Sequence, residues 1–150
     1  MIGTFDADGF LPEGIHTATW AEFLDRFGWT SRRAAILARV RAALTHLASV
    51  GCPAILVGGS FVTTKANPKD IDLVWAVTED VDFDAVHPVF QGPDGIPAIR
   101  AMFAADIFPS FLIEGATGEL FSEFFQHTRD GRRVGVVAID LATLPEDDDS

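Results

Sequence analysis

A glycine pair ahead of a serine, Gly58-Gly59-Ser60, is followed ten residues after the serine by Asp70-Ile71-Asp72. This spacing constrains the chain more than any other feature. The turn leaves an apolar run, Ala54-Ile55-Leu56-Val57, and the acidic pair opens another, Leu73-Val74-Trp75-Ala76-Val77. Both runs read as strands. Residues i and i+2 of a strand face one side, so Asp70 and Asp72 project together beside the turn, about 7 Å apart along the chain. Like charges on one face repel unless a cation neutralises them. Mg²⁺ suits such a pair, because it takes carboxylate oxygens plus substrate phosphates in preference to an all-protein cage. The close-approach amides of a Gly-Gly-Ser turn supply a phosphate cradle. A divalent metal beside that cradle points to phosphoryl or nucleotidyl transfer.

With 150 residues, 48% of them hydrophobic and 13 of them Phe, the chain is expected to form one domain, residues 1–150, with an ordered core. No apolar run is long enough for a membrane span, and no basic-then-apolar leader opens the sequence, so a cytoplasmic address follows by elimination. The single cysteine, Cys52, excludes an internal disulfide framework and reads as a small buried hydrophobe. Lys and Arg number 11 against 22 Asp and Glu, a net charge of −11. Such a chain does not track a phosphate backbone by general electrostatics, which argues against DNA as a ligand and favours a basic protein partner.

Along the chain, residues 1–19 lack periodicity and read as an arm lying over the domain. Trp20–Phe27 reads as a short amphipathic helix with Trp20, Phe23, Leu24 and Phe27 inward. The next helix, capped by Thr30 or Ser31, carries Ile36, Leu37, Val40, Leu44 and Leu47 at helical spacing and stops at Gly51. Strands are expected at Ala54–Val57, about Asp70–Val77, Ala105–Ile113 and Arg133–Ile139. Short helices are expected after Ser60, after Pro97 and over Glu119–Gln126, with a helical turn near Phe83–Val86. The last residues, about 145–150, form an acidic tail expected to be disordered. The fold class is α/β, a small mixed sheet with flanking helices.

The glycine turn and the acidic pair resemble the signature of the DNA polymerase β nucleotidyltransferase superfamily: an apolar strand, a Gly-Gly or Gly-Ser turn, about ten residues, then Asp-apolar-Asp. The chain looks like the minimal members, which carry little beyond a catalytic core. Leu11-Pro12-Glu13-Gly14-Ile15-His16, the stretch from Gly58 to Trp75, and Glu123-Phe124-Phe125-Gln126 also resemble phrases of a group of short bacterial proteins. The resemblance implies a palm-like nucleotidyltransferase fold, an NTP substrate and one or two Mg²⁺ ions. It also implies a third carboxylate from a later strand. Asp106, flanked by apolar residues, is the first candidate, with Glu114 and Asp140 as competitors. By the same resemblance an NMP passes to a hydroxyl of a protein or tRNA, in a two-gene toxin–antitoxin or phage-defence module with a partner encoded nearby. A non-catalytic protein that kept the fold and a small-molecule (antibiotic) nucleotidyltransferase are the alternatives.

On these expectations Gly58, Gly59 and Ser60 hold the phosphates, although Ser60 is equally suited to cap a helix. Asp70, Asp72 and Asp106 hold the metal and carry catalysis; a turn-capping role in solvent is the competing reading of the first two. Lys65 or Lys69 neutralises a phosphate, Lys69 being nearer the acidic pair. Arg32, Arg33, Arg39 and Arg41 read as a solvated helix face, and Arg129, Arg132 and Arg133 as surface residues around a turn. The four histidines show no ligand pairing. Phe103, Phe108, Phe111, Phe121, Phe124 and Phe125 read as core, and Trp75 faces away from the acidic pair.

Overall fold

The computed structural model describes residues 2–91, 93–103, 105–110, 125–128 and 131–145. Five strands form one mixed sheet: β1 (Gly14–Ala18), β2 (Ala54–Gly58), β3 (Ile71–Trp75), β4 (Ala105–Pro109) and β5 (Gly135–Asp140). Their order across the sheet is β1-β5-β2-β3-β4. The β2–β3 and β2–β5 pairs are antiparallel, while β1–β5 and β3–β4 are parallel. The described helices are α1 (Trp20–Phe27), α2 (Ser31–Ser49) and α3 (Ile96–Phe103), the last lying in the crossover between β3 and β4. A parallel pair needs such a crossover, because a tight hairpin cannot reverse the chain twice.

Local chemistry sets these elements. Thr19 and Glu22 close a reciprocal capping box at the start of α1. Thr30 caps α2 by accepting from the Arg33 amide, and Gly51, at φ +100°, lets the chain leave that helix in a left-handed conformation. The strand register then sorts side chains to two faces. Ile55, Val57, Ile71, Leu73, Trp75, Ala105, Ile107, Val137 and Ile139 share one face. They merge with Trp20, Phe23 and Phe27 of α1, Ile36, Leu37, Val40, Leu44 and Leu47 of α2, and Ile99 of α3 into a single core. Trp75 is fully buried there, its indole N–H donating to the Phe90 carbonyl. All three helices therefore cover the same face. Gly58, Asp72 and Asp106 lie on the other, with Val74 and Phe108.

Several expectations change. Residues 1–19 are not an overlying arm: Gly14–Ala18 is an edge strand paired with β5. The earlier residues still lie across the domain, with Phe10 bridged to Thr63. Leu24 of α1 is 39% exposed, not inward. The β3 and β4 strands are shorter than expected, ending at Trp75 and Pro109. The expected helix over Glu119–Gln126 and the acidic tail fall mainly or wholly outside the described residues, as do Phe111, Glu114, Phe121, Phe124 and Arg129. Among the described residues no helix is long and apolar enough to cross a membrane.

Candidate functional site

The register across β2, β3 and β4 builds the site. Gly58 is the Cα partner of Asp72, and Asp72 is the Cα partner of Asp106. The turn after β2 is thus laid beside two carboxylates taken from neighbouring strands. Asp70 sits just before β3, two residues from Asp72, and all three acids line one cavity of about 1140 Å³. Gly59, Ser60, Thr63, Thr64 and Lys65 line it from the β2–β3 connection. Phe10, Phe125, His127 and Thr128 lie farther round the wall.

Gly59 is a requirement of this geometry. Its φ is +72°, and a Cβ placed there would stand 2.4 Å from Oδ2 of Asp72. Only a glycine lets the backbone come so close to the carboxylate. Gly58 is crowded too, since a Cβ there would meet that of Phe125 at 2.6 Å. From Gly59 the chain enters a single 3₁₀ turn, Gly59–Val62, where the sequence suggested a brief helix from Ser60.

Electrostatics single out Asp72. Burial, first, and then the charges of Asp70 and Asp106 push its pKa up to about 7 from an ordinary value of 3.8. A hydrogen bond shared with Asp106 acts in the same direction, and Arg100 opposes it. Arg100, on the exposed side of α3, makes a two-pronged ion pair with Asp106. That carboxylate in turn lifts the Arg100 pKa above its usual value. An arginine from the crossover helix therefore supplies the cation in an otherwise acidic corner.

The donor chemistry fits a hard divalent ion. Three carboxylates converge, one of them is destabilised by the other two, and oxygen ligands of this kind suit Mg²⁺. Among the described residues, no group of three or more His, Cys, Asp or Glu side chains is arranged to hold a metal ion. The Arg100 guanidinium already holds both oxygens of Asp106.

The other candidate residues divide. Lys65 lines the cavity and Lys69 does not. Asp140 pairs with Ala54, at the far end of β2 from Gly58, about 13 Å away by the rise per residue. There it caps a 3₁₀ turn by accepting from the Ala142 amide at 2.9 Å, so it is not part of the site. Glu114 lies outside the described residues. Cys52 is buried, and that burial raises its thiol pKa, as expected of a structural cysteine. His16 is structural as well, its ring bonded to the Gly3 amide and the Pro12 carbonyl.

The main correction concerns the arginines. Arg33 is not on a solvated face: it is 0% exposed. It donates to the carbonyls of Phe27, Phe61, Thr63 and Lys65. Arg32 donates to those of Pro68 and Lys69. A signal was available, because Arg33 stands three, four and seven residues before Ile36, Leu37 and Val40 and so belongs to the apolar stripe of α2. For Arg100 there was none; its link to Asp106 depends on how α3 packs.

No curated protein and no solved structure matches the chain. A family model matches residues 3–140, the span that contains every element of the sheet and the whole of the described site, and the chain belongs to that family, DUF6932, a family of unknown function.

Proposed function

We propose that this protein is a Mg²⁺-dependent nucleotidyltransferase with a palm-like fold, moving a nucleoside monophosphate from an NTP to a hydroxyl of a macromolecule. The observation that carries the reading is the register line Gly58–Asp72–Asp106 across three strands, with the glycine turn touching the central carboxylate. Asp70, Asp72 and Asp106 would hold the ion, which supplies charge neutralisation of the triphosphate and a lowered pKa for the attacking hydroxyl. Ser60 and the amides after Gly58 receive the phosphates, with Lys65 as the available cation on the loop. Asp106, once released from Arg100, would accept the proton of the attacking hydroxyl. The hydroxyl oxygen bonds to the α-phosphorus as the bond to the bridging oxygen breaks, and pyrophosphate leaves.

The acidic chain and the scarcity of cations among the described cavity residues favour a protein acceptor, or one brought by a basic partner, over naked RNA. A two-gene toxin–antitoxin or defence module is the setting that fits such a pair. The test is incubation with each α-³²P-labelled NTP and Mg²⁺, with tRNA and cell lysate as acceptors. Label in a protein or RNA band, lost in Asp70→Ala, is the expected result. No label with any NTP, from folded protein with Mg²⁺ or Mn²⁺, would turn the reading to a partner-binding protein.

Arg100 competes with the ion in this scheme. Arg100→Gln is expected to tighten Mn²⁺ binding several-fold at pH 8.5, above the value of about 7 that Asp72 has with the arginine present. Calorimetric titration decides it: unchanged or weaker binding would show that Arg100 supports the carboxylates instead of occupying the place of the ion.

A further inference from the structure

Phe10 is a phenylalanine outside the core. It is partly buried, yet among the described residues it belongs neither to the hydrophobic cluster nor to the side chains packed against that cluster, whereas Phe5 does. Its backbone is nonetheless fixed. The Asp6 carboxylate accepts from the Phe10 amide at 3.1 Å, the Asp6 amide donates to the Phe10 carbonyl at 2.7 Å, and a bridge ties Phe10 to Thr63 of the β2–β3 connection. Arg132 pairs with Asp6 and Asp8 and lays its guanidinium 5.1 Å from the centroid of the Phe10 ring. A cation so placed occupies one face of the ring. No other ring stacks on Phe10 among the described residues, and its side chain lines the cavity. Apolar surface left in water is unfavourable in proportion to its area, so a ring held at the wall of a cavity suits a ligand with a flat face of its own.

The sheet sets where in the cavity that ring stands. Asp106, Asp72 and Gly58 share one register line across β4, β3 and β2. The next strand, β5, continues it: the Val136 side chain lies 3.5 Å from where a Cβ on Gly58 would stand. The amide of Gly135, one residue earlier, donates to the carbonyl of Leu11, the neighbour of Phe10. Three strand spacings, about 14 Å, therefore separate the Asp106 strand from the β5 end. The cavity is acidic at one end and lined by Phe10, Val134 and Gly135 at the other. Phe125 stands between the two, against Gly58, with its own ring stacked on Phe108. We propose that the β5 end of this cavity is a nucleobase subsite, with the Phe10 ring as the face on which the base of the NTP stacks. This inference rests on the nucleotidyltransferase reading, which puts the triphosphate at the carboxylates. A nucleotide carries its base on the far side of the ribose from its phosphates, so ligand and cavity have the same polarity. Every base has a π face that stacks on an aromatic side chain. Because the Phe10 backbone and one ring face are already held, stacking orders little that is free.

The experiment compares wild-type protein, Phe10→Leu and Phe10→Trp in Mn²⁺ buffer, titrated with inorganic tripolyphosphate and with each of ATP, GTP, CTP and UTP. Leucine keeps an apolar side chain without a π face, and tryptophan restores one. Wild-type protein is expected to bind at least one NTP about tenfold more tightly than tripolyphosphate. Phe10→Leu should keep its Mn²⁺ and tripolyphosphate affinities within about twofold and lose about fivefold or more of its NTP affinity. Phe10→Trp should regain that affinity, and its added fluorescence should respond to the NTP and not to tripolyphosphate. This response carries the test if Phe10→Leu does not fold. An NTP preference that survives in Phe10→Leu would overturn the proposal. So would a parallel loss of tripolyphosphate affinity, the mark of a wall residue whose effect is structural. Equal affinity of wild-type protein for tripolyphosphate and every NTP would remove the base subsite and leave the nucleotidyltransferase reading in place. Binding of neither tripolyphosphate nor any NTP would remove both.

Discussion

Asp72→Asn is expected to stabilise the folded protein above pH 7 while eliminating binding of divalent ions. The carboxyl of Asp72 is held at a pKa of about 7 by burial and by Asp70 and Asp106, against an ordinary value of 3.8. Between those two values the folded state keeps a proton that the unfolded chain has released. Stability from this group therefore falls as pH rises from about 4 to about 7 and stays low above that. At about 1.4 kcal/mol per pH unit the full penalty is on the order of 4 to 5 kcal/mol. Asparagine has the same shape and never acquires the charge. The wild-type protein should lose stability between pH 5 and pH 8 in metal-free buffer, and the variant should change much less. For a chain of this size the difference at pH 8 is on the order of 10 °C in Tm. Adding Mn²⁺ should raise the wild-type Tm and leave that of Asp72→Asn unmoved. A variant less stable than wild type at pH 8 would show that the carboxylate supports the fold and is not a strained ligand awaiting a cation.

That trade of stability for chemistry explains which parts of the molecule could be read in advance. The strands, the helix periods and the two-residue alternation of Asp70 and Asp72 are local properties. Each is fixed by a few neighbours in sequence, so Trp20–Phe27, the core of α2 and the start of β3 fall where the pattern places them. The placement of Asp106 opposite Asp72 needed the resemblance, because the parallel pairing of β3 with β4 joins residues 34 positions apart. Asp140 failed for the same kind of reason. It sits on a strand beside β2, but at the wrong end, and only the antiparallel register reveals which end that is. The arginines mark the sharper boundary. Counting charge put Arg33 on the surface, while its place in the apolar stripe of α2 pointed inward. Burial won because six backbone carbonyls on a loop distant in sequence were there to receive the turn that carries it.

Gly59→Ala is expected to cost both stability and the site, for separable reasons. The residue sits at φ +72°, where a side chain costs about 1–2 kcal/mol. The new methyl carbon would also stand 2.4 Å from Oδ2 of Asp72. The carboxylate must then turn away from the glycine turn and toward the two acids that already repel it. Gly14→Ala provides the control: its φ is +119°, but a Cβ there meets nothing within 4 Å, and Gly14 lies outside the cavity. Gly14→Ala should lower stability and leave Mn²⁺ affinity as it is. Gly59→Ala should lower stability and weaken Mn²⁺ binding at least tenfold, a loss of about 1.4 kcal/mol or more. Because the clash is with Asp72 itself and Asp72→Asn already eliminates the ion, adding Gly59→Ala to Asp72→Asn should cost no further ion affinity, and the two effects should fail to add. Equal Mn²⁺ affinity in the two glycine variants would mean that the turn and the carboxylate are neighbours without being a site. A loss confined to Gly59→Ala would tie the turn to the ion, the connection on which the whole functional reading depends.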